Sequence, residues 1–380
     1  MNKIKVNEES RIARRVIGAV GIITTALIIM LAVQNVVGRG GNSSSSSPVV
    51  AMPSFSAGRI KYTGPIWHVF FHSLVIYPDQ AFKNDARGKM YEDYMITKQE
   101  FVDFIDELYK DDFVLVDLRS LYTSDATGKV MRSDLYIPKG KRPLIISLDD
   151  LNYYSAMSGR GFADKLVIDQ HGDVATEVNT PQGSKVITRD GDVVPILDDF
   201  VKMHPDFSID GVKGTIAVTG FEGILGYRTQ LSSPDRATEI ESAKRVIERL
   251  EGTGWQFASH SYGHDDIFQN GTITLDELKK DTEQWRNEVE SIVGPTEIFV
   301  GPFGQVFKPN DPRRDYLVSQ GFKMLCGVGT DFYLQYTPTY VMMDRADIDG
   351  YRLHKDPARL NVFLNTSAAI ESLMRYFKTR

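Results

Sequence analysis

Short apolar runs alternate with amphipathic segments along most of this chain, and this alternation constrains its fold more than any other feature. A helix is predicted at 97–109, where Thr97 caps a segment whose apolar side chains share one face. The remaining predicted helices are 194–203, 238–250 and 275–293. The predicted strands are 67–76, 113–116, 143–148, 215–219, 255–259 and 297–300. Alternating strands and helices imply an α/β fold with a parallel sheet, open or closed, and a site at the carboxyl ends of its strands.

Two glycine-containing turns interrupt this alternation, at 170–173 and 189–192. They lie between β-type segments, which predicts a β-hairpin insertion at about 155–192, before the helix at 194–203.

The first 59 residues differ in character from the rest. Basic residues precede an uncharged apolar segment at 16–37, whose 22 residues are long enough to span a hydrocarbon core of about 30 Å. A cleaved signal peptide or a buried core helix are the alternatives. We expect a cytoplasmic tail at 1–15, an uncleaved signal anchor at 16–37, a Gly/Ser-rich linker at 38–59 and an extracytoplasmic folded domain at 60–380.

Composition excludes several classes of protein and site. A net charge of -6 provides no basic surface for nucleic acid, which is not expected as a partner. The single cysteine, Cys326, rules out an intramolecular disulfide and any cysteine-based zinc site. A metal site would therefore be built from histidines and carboxylates.

Polar residues follow two of the predicted strands directly. Asp149 and Asp150 follow one strand, and His260 and His264 follow another. Two histidines four residues apart, together with a carboxylate from a neighbouring strand, can form a three-ligand metal site with positions open for water. The alternatives are an acidic turn and a pair of solvated histidines, but both groups follow buried strands, which favours the metal site.

The sequence resembles the NodB-like polysaccharide deacetylases of carbohydrate esterase family 4. Residues 147–151, Ser-Leu-Asp-Asp-Leu, match the family's Thr-Phe-Asp-Asp-Gly motif, and residues 260–264, His-Ser-Tyr-Gly-His, match its second motif fully. Residues 302–304, Pro-Phe-Gly, match part of the third motif, and residues 71–73, Phe-His-Ser, are similar to a Tyr-His-Ser segment of many bacterial members. The resemblance covers roughly residues 65–330.

The resemblance implies a deformed (β/α) barrel that removes N- or O-acetyl groups from a polysaccharide. At the matching positions, Asp150, His260 and His264 would hold a divalent metal, typically zinc. Asp149 would be the general base. Because successive side chains leaving a strand point in opposite directions, we expect Asp150 and not Asp149 to be the ligand.

Some positions depart from the family's pattern. Leu151 replaces the glycine of the first motif, and Val300 stands where the family has an arginine that orients the base. The general acid has two candidates: His354, in a Leu-His pair that directly follows a predicted strand at 349–352, and His72.

Two functions remain open from the sequence. The first is a membrane-anchored, metal-dependent deacetylase acting on cell-wall or extracellular polysaccharide. The second is a catalytically degenerate relative that binds glycan or acts as a scaffold, which the missing arginine and the uncertain acid would fit. A serine hydrolase is excluded because there is no Gly-x-Ser-x-Gly segment.

Overall fold

The computed structural model describes residues 58–329 and 333–363. The predicted tail at 1–15, the predicted anchor at 16–37 and all but the last two residues of the predicted linker at 38–59 lie outside these ranges. Within them, no helix is both long and apolar enough to cross a membrane.

Strands and short helices alternate through the described residues. The strands are β1 (Arg59–Lys61), β2 (Trp67–Phe71), β3 (Phe113–Leu115), β4 (Tyr122–Ser124), β5 (Val130–Arg132), β6 (Tyr136–Pro138), β7 (Arg142–Asp149), β8 (Ala163–Ile168), β9 (Val174–Asn179), β10 (Lys185–Thr188), β11 (Gly214–Val218), β12 (Trp255–Ser259), β13 (Ile298–Val300), β14 (Met324–Val328), β15 (Leu334–Tyr336) and β16 (Val341–Asp347). The α-helices are α1 (Pro78–Ala81), α2 (Ala86–Tyr94), α3 (Lys98–Lys110), α4 (Val193–Met203), α5 (Arg236–Gly252), α6 (Asp266–Gln269), α7 (Leu275–Trp285), α8 (Ser291–Val293), α9 (Pro312–Ser319) and α10 (Gly350–Lys355).

Seven parallel strands close into a barrel. They pair in the order β7, β11, β12, β13, β14, β16 and β2, and β2 pairs again with β7. The prediction of a parallel α/β sheet is confirmed, and the structure selects the closed form. β3 adds to β7 outside the ring, and β15 pairs antiparallel with β16.

Side chains of the barrel strands alternate between its interior and the surrounding helices. In β7, Ile145 packs in one buried cluster with Ala217 and Ala258 of the neighbouring strands. Its neighbours Ile146 and Leu148 pack instead in the larger cluster that contains the apolar faces of the helices. Because inward positions recur every second residue, Asp149 lies on the same face of β7 as Ile145.

Helix α3 forms where the sequence predicts it, because a capping box fixes its start. The Thr97 hydroxyl accepts from the Glu100 N–H at 3.2 Å, and the Glu100 carboxylate accepts from the Thr97 N–H at 2.7 Å. Its buried face packs on β2, with the rings of Phe101 and Phe104 5.0 and 5.9 Å from that of Phe71.

The helix predicted at 275–293 is present with one irregularity. α7 begins at a capping box formed by Thr274 and Glu277, and a π-helical turn at Arg286–Glu290 joins it to α8. Single π-helical turns inside α-helices are frequent at functional sites.

The predicted insertion is a three-stranded antiparallel sheet of β8, β9 and β10. The turn predicted at 170–173 joins β8 to β9, as expected. The second prediction was wrong, since the turn between β9 and β10 is at 180–184, where the Gly183 N–H donates to the Thr180 carbonyl. Residues 189–192 lead into α4 instead, because the buried Asp192 carboxylate accepts from the Val193 N–H at that helix's start.

The prediction of a strand at 349–352 was also wrong. The segment forms α10, because the Asp349 side chain accepts from the Arg352 N–H at 2.7 Å and so caps a helix.

Candidate metal and catalytic site

The carboxyl ends of three barrel strands place polar side chains together at one rim. Asp149 ends β7, His260 follows β12, and Arg345 is the fifth residue of β16. Asp149 is paired in register with Ala217 of β11, and the His260 N–H donates to the Val218 carbonyl. All three side chains are buried, with exposed fractions of 1–3 %.

The three predicted metal ligands come together. Asp150, His260 and His264 each offer one ligand atom, and these atoms all lie within 4.8 Å of one another. Asp150 Oδ2 is 3.6 Å from His264 Nε2 and 3.9 Å from His260 Nε2. Tetrahedral zinc with bonds of about 2.0–2.2 Å places its ligand atoms about 3.3–3.6 Å apart. The Asp150–His264 separation lies in that range and the Asp150–His260 separation is slightly longer, so small side-chain shifts would let the group hold such an ion.

The direction of the Asp150 side chain has a different cause from the one expected. Asp150 lies beyond the last residue of β7 and adopts a left-handed conformation with φ of 56°. Strand alternation therefore does not set its direction, and the turn aims its carboxylate at the same place that Asp149 faces. His260 Nε2 is 3.8 Å from Asp149 Oδ2 and 3.9 Å from Asp150 Oδ2.

A backbone carbonyl fixes the tautomer of His260. Its Nδ1 is 2.9 Å from the Val300 carbonyl, which can only accept, so Nδ1 carries the proton and Nε2 keeps a free lone pair. Burial lowers the pKa of His260, against the opposing charges of Asp149 and Asp150. The imidazole is therefore neutral near pH 7, the form that binds a metal.

The Tyr154 hydroxyl orients Asp150 and is itself in contact with Thr219. Tyr154 donates to Asp150 Oδ1 at 2.6 Å, and its hydroxyl is also 2.8 Å from Thr219 Oγ1. Burial raises the pKa of Asp150, but the charges of His264 and His260 outweigh it, and the pKa is lowered overall. Asp150 is therefore ionised, with Oδ2 directed at the two histidines.

Asp149 is held by Arg345 in a bidentate pair. The guanidinium donates to Asp149 Oδ1 at 2.6 Å and to Oδ2 at 3.0 Å, and its side chain is fully buried. Burial alone would raise the pKa of Asp149, but the positive charge of Arg345 outweighs it and holds the pKa well below its usual range. Asp149 is thus ionised and oriented.

Arg345 is also hydrogen-bonded to buried Ser147, which in turn contacts His68. Arg345 donates to Ser147 Oγ at 3.1 Å, and Ser147 Oγ is 3.0 Å from His68 Nε2. Since Arg345 can only donate, Ser147 Oγ accepts from it, and the direction of the Ser147–His68 hydrogen bond depends on which ring nitrogen of His68 carries the proton. Burial lowers the pKa of His68 well below its usual value, which agrees with a neutral ring.

Sequence reasoning missed Arg345. The expectation that the base lacks an orienting arginine was wrong, because β16 supplies one from a position 196 residues away. The available signal was a charged residue at an inward position of an apolar strand, two residues after Met343 and four after Val341, both of which are buried. Val300, at the position expected for the arginine, contributes its carbonyl to His260 instead.

The two candidate acids lie in different surroundings. His72 follows β2 and contributes to lowering the pKa of both Asp149 and Asp150, so it lies near the two aspartates. His354 lies on α10, where its Nε2 is 3.1 Å from Glu100 Oε1, the carboxylate that caps α3. The structure therefore brings His72 to the site, whereas His354 contacts a helix cap.

Two exposed aromatic rings lie close to His264 and Tyr154. Phe303, 44 % exposed, lies with its ring 4.4 Å from that of His264. Phe221, 37 % exposed, lies 6.0 Å from the ring of Tyr154. Next to Tyr154 is a polar cavity of about 480 Å³, with Lys165 of the inserted sheet and Arg228 in its lining.

No protein-family model matches this chain, and no curated protein is detectably similar to it.

Proposed function

We propose that this protein is a metal-dependent hydrolase that removes acetyl groups, N-acetyl groups foremost, from a cell-wall or extracellular polysaccharide. One observation carries the proposal: three metal-type ligands converge beside a buried carboxylate that an arginine holds ionised. The likeness of residues 147–151 and 260–264 to deacetylase motifs supports the same reaction.

Asp150, His260 and His264 would hold the metal, for which zinc is our first choice. Bound there, such an ion would lower the pKa of water towards about 7 and polarise an acetyl carbonyl. Two nitrogen ligands and one oxygen ligand suit zinc, and three protein ligands are the number typical of catalytic zinc sites.

Asp149 would act as the general base. Both of its carboxylate oxygens accept from Arg345, and it is not among the three residues whose ligand atoms lie within 4.8 Å of one another. As water attacks the acetyl carbon, Asp149 would take one of its protons, and Arg345 would hold the carboxylate in place. His68 and Ser147 would act only through Arg345.

His72 is our choice for the general acid. The acetyl C–N bond breaks with the electron pair leaving on nitrogen, so the amine must receive a proton as it departs. His72 lies close enough to both aspartates to lower their pKa values, whereas His354 is bonded to Glu100. Assigning the acid to His72 leaves His354 with a structural role at the start of α3.

A polymeric substrate accounts for the surroundings of the ligand group. Phe303 and Phe221 offer exposed apolar faces near His264 and Tyr154, and sugar rings have apolar faces that pack on such surfaces. The cavity beside Tyr154 has the size of a small-molecule site and a polar lining suited to hydroxyl groups. The absence of an arginine at Val300 no longer favours a degenerate glycan-binding relative, because Arg345 pairs with Asp149 instead. Outside the described residues, the anchor at 16–37 would keep this domain near the cell surface.

Acetate release tests the proposal. Wild-type protein should release acetate from N-acetylglucosamine oligomers or peptidoglycan, and EDTA should abolish the release. D149N should reduce turnover at least 100-fold while retaining metal, because base catalysis contributes about 10²–10⁴-fold. D276N, at a carboxylate exposed at the start of α7, is the matched control and should be fully active. Full turnover by D149N would refute the assignment of the base.

A further inference from the structure

The loop that joins the two histidine ligands is held in an unfavourable backbone conformation. Ser261 and His264 both have positive φ, at 61° and 47°, and neither is glycine. Such residues cost about 1–3 kcal/mol each and persist only where their surroundings enforce them. The His264 N–H donates to the Ser261 hydroxyl at 3.0 Å, but this bond is internal to the loop. Contacts from elsewhere must therefore hold it.

Asp281 of α7 makes those contacts. Its Oδ1 accepts from the Tyr262 N–H at 2.9 Å, and its Oδ2 accepts from the same group at 3.0 Å and from the Gly263 N–H at 2.9 Å. No lysine or arginine of the described ranges forms an ion pair with this carboxylate, so its bonds go to the loop. Both N–H groups lie between the two histidines, and the carboxylate bridges them.

Tyr262 anchors the middle of the loop through its hydroxyl and its carbonyl. Its hydroxyl donates to Glu288 Oε2 at 2.9 Å, and Glu288 is buried in the π-helical turn after α7. The Tyr262 carbonyl accepts from the N–H groups of Gly220 and Phe221. A Cβ at Gly220 would lie 2.1 Å from the Tyr262 ring, so the close approach requires glycine. Helix α7 and its π-helical turn thus hold the loop at two points.

We propose that Asp281 is a positioning residue for the metal site: it fixes the spacing of His260 and His264, and metal affinity depends on it although it is not a ligand. This inference rests on the proposed metal site. Losing an outer partner of a metal ligand lowers affinity about 10–100-fold, and we expect D281A to fall within that range. D281N, which keeps one acceptor oxygen, should fall between wild type and D281A.

Zinc affinity of the full-length protein tests this inference. The dissociation constant is measured by competition with a chromophoric chelator for wild type, D281A, D281N and D276N, the last being a control on the same helix. The Co²⁺-loaded proteins are compared by visible absorption, which reports coordination geometry. We expect 10–100-fold weaker zinc binding and an altered cobalt spectrum for D281A, with D276N unchanged. Thermal unfolding in EDTA checks that each variant is folded.

Several results would overturn the inference. Zinc affinity of folded D281A within threefold of wild type, with an unchanged cobalt spectrum, would show that the loop keeps its geometry without Asp281. If D281A fails to fold, the same criterion applies to D281N. Failure of the proposed function gives a different result. If wild type binds zinc but releases no acetate, the deacetylase proposal is refuted, and the zinc affinities of wild type and D281A still test the role of Asp281.

Discussion

Replacing Arg345 with methionine removes the cation that holds the proposed base. Arg345 is fully buried and donates to both oxygens of Asp149, to Ser147 Oγ and to the Gly327 carbonyl. R345M leaves Asp149, only 3 % exposed, without a cationic partner. Removing one partner of a buried ion pair costs about 3–5 kcal/mol, and we expect the free energy of unfolding of the metal-free protein to fall by that amount at pH 7.

The loss of stability in R345M should depend on pH. In wild type, the pKa of Asp149 is lower in the folded than in the unfolded state, where it is about 3.9. The ion pair therefore stabilises the fold fully above the unfolded-state pKa, and this stabilisation is lost as pH falls through the folded-state pKa. In R345M, burial raises the pKa of Asp149 above the unfolded value, so its ionised form destabilises the fold at neutral pH. The penalty disappears as pH falls and the carboxyl is protonated. The difference between wild type and R345M is therefore largest at pH 7 and shrinks towards pH 4.

Urea denaturation in EDTA at pH 4, 5, 6 and 7 measures this difference. The double variant D149N/R345M should be more stable than R345M at pH 7, because it no longer buries a charge. R59M is the matched control: Arg59 pairs with the exposed Asp210, and such surface pairs contribute at most about 1 kcal/mol. A loss below about 1 kcal/mol for R345M at pH 7, or an equal loss at pH 4 and pH 7, would refute the reasoning.

Three further variants test other parts of the account. Y154F removes the hydroxyl that donates to Asp150 at 2.6 Å, and competition with a chelator should show zinc affinity about 10-fold lower; unchanged affinity would contradict this role. Burial raises the pKa of Asp192 to about 6, so this carboxyl makes wild-type stability decrease as pH rises from about 4 to 6. D192N should make stability fall less over this pH range in chemical denaturation, and an identical slope would disprove the shift. T97A removes a helix cap and should lower the unfolding free energy by about 1 kcal/mol, with no change expected in zinc affinity.

The parts of the fold that periodicity specifies were predictable from the sequence. Strand β12 has the predicted ends, and helix α3 differs by one residue at either end, because an apolar run and a capping box are local signals. The turn at 189–192 was misassigned because Asp192 is a helix cap, and a sequence does not distinguish a cap from a hairpin turn. α10 was missed for the same reason, since Asp349 caps it.

The part of the candidate site that lies at the carboxyl ends of predicted strands was predictable from the sequence. Asp150, His260 and His264 follow apolar runs, and the parallel barrel brings these strand ends together. Arg345 was not predictable as the partner of Asp149, because the pairing depends on how the barrel closes across 196 residues. Asp281 was missed because it acts through the backbone of its partners, which leaves no pattern in their side chains.

Metal content tests the central claim most directly. Full-length wild type is loaded with zinc, freed of excess metal and analysed for bound zinc per chain, alongside H260A, H264A and H171A, the last replacing an exposed histidine in the β8–β9 turn. We expect one zinc per chain in wild type and in H171A, and far less than one in H260A and H264A. A wild type without zinc, or an H260A that retains one zinc per chain, would contradict the assignment of Asp150, His260 and His264 as the metal site.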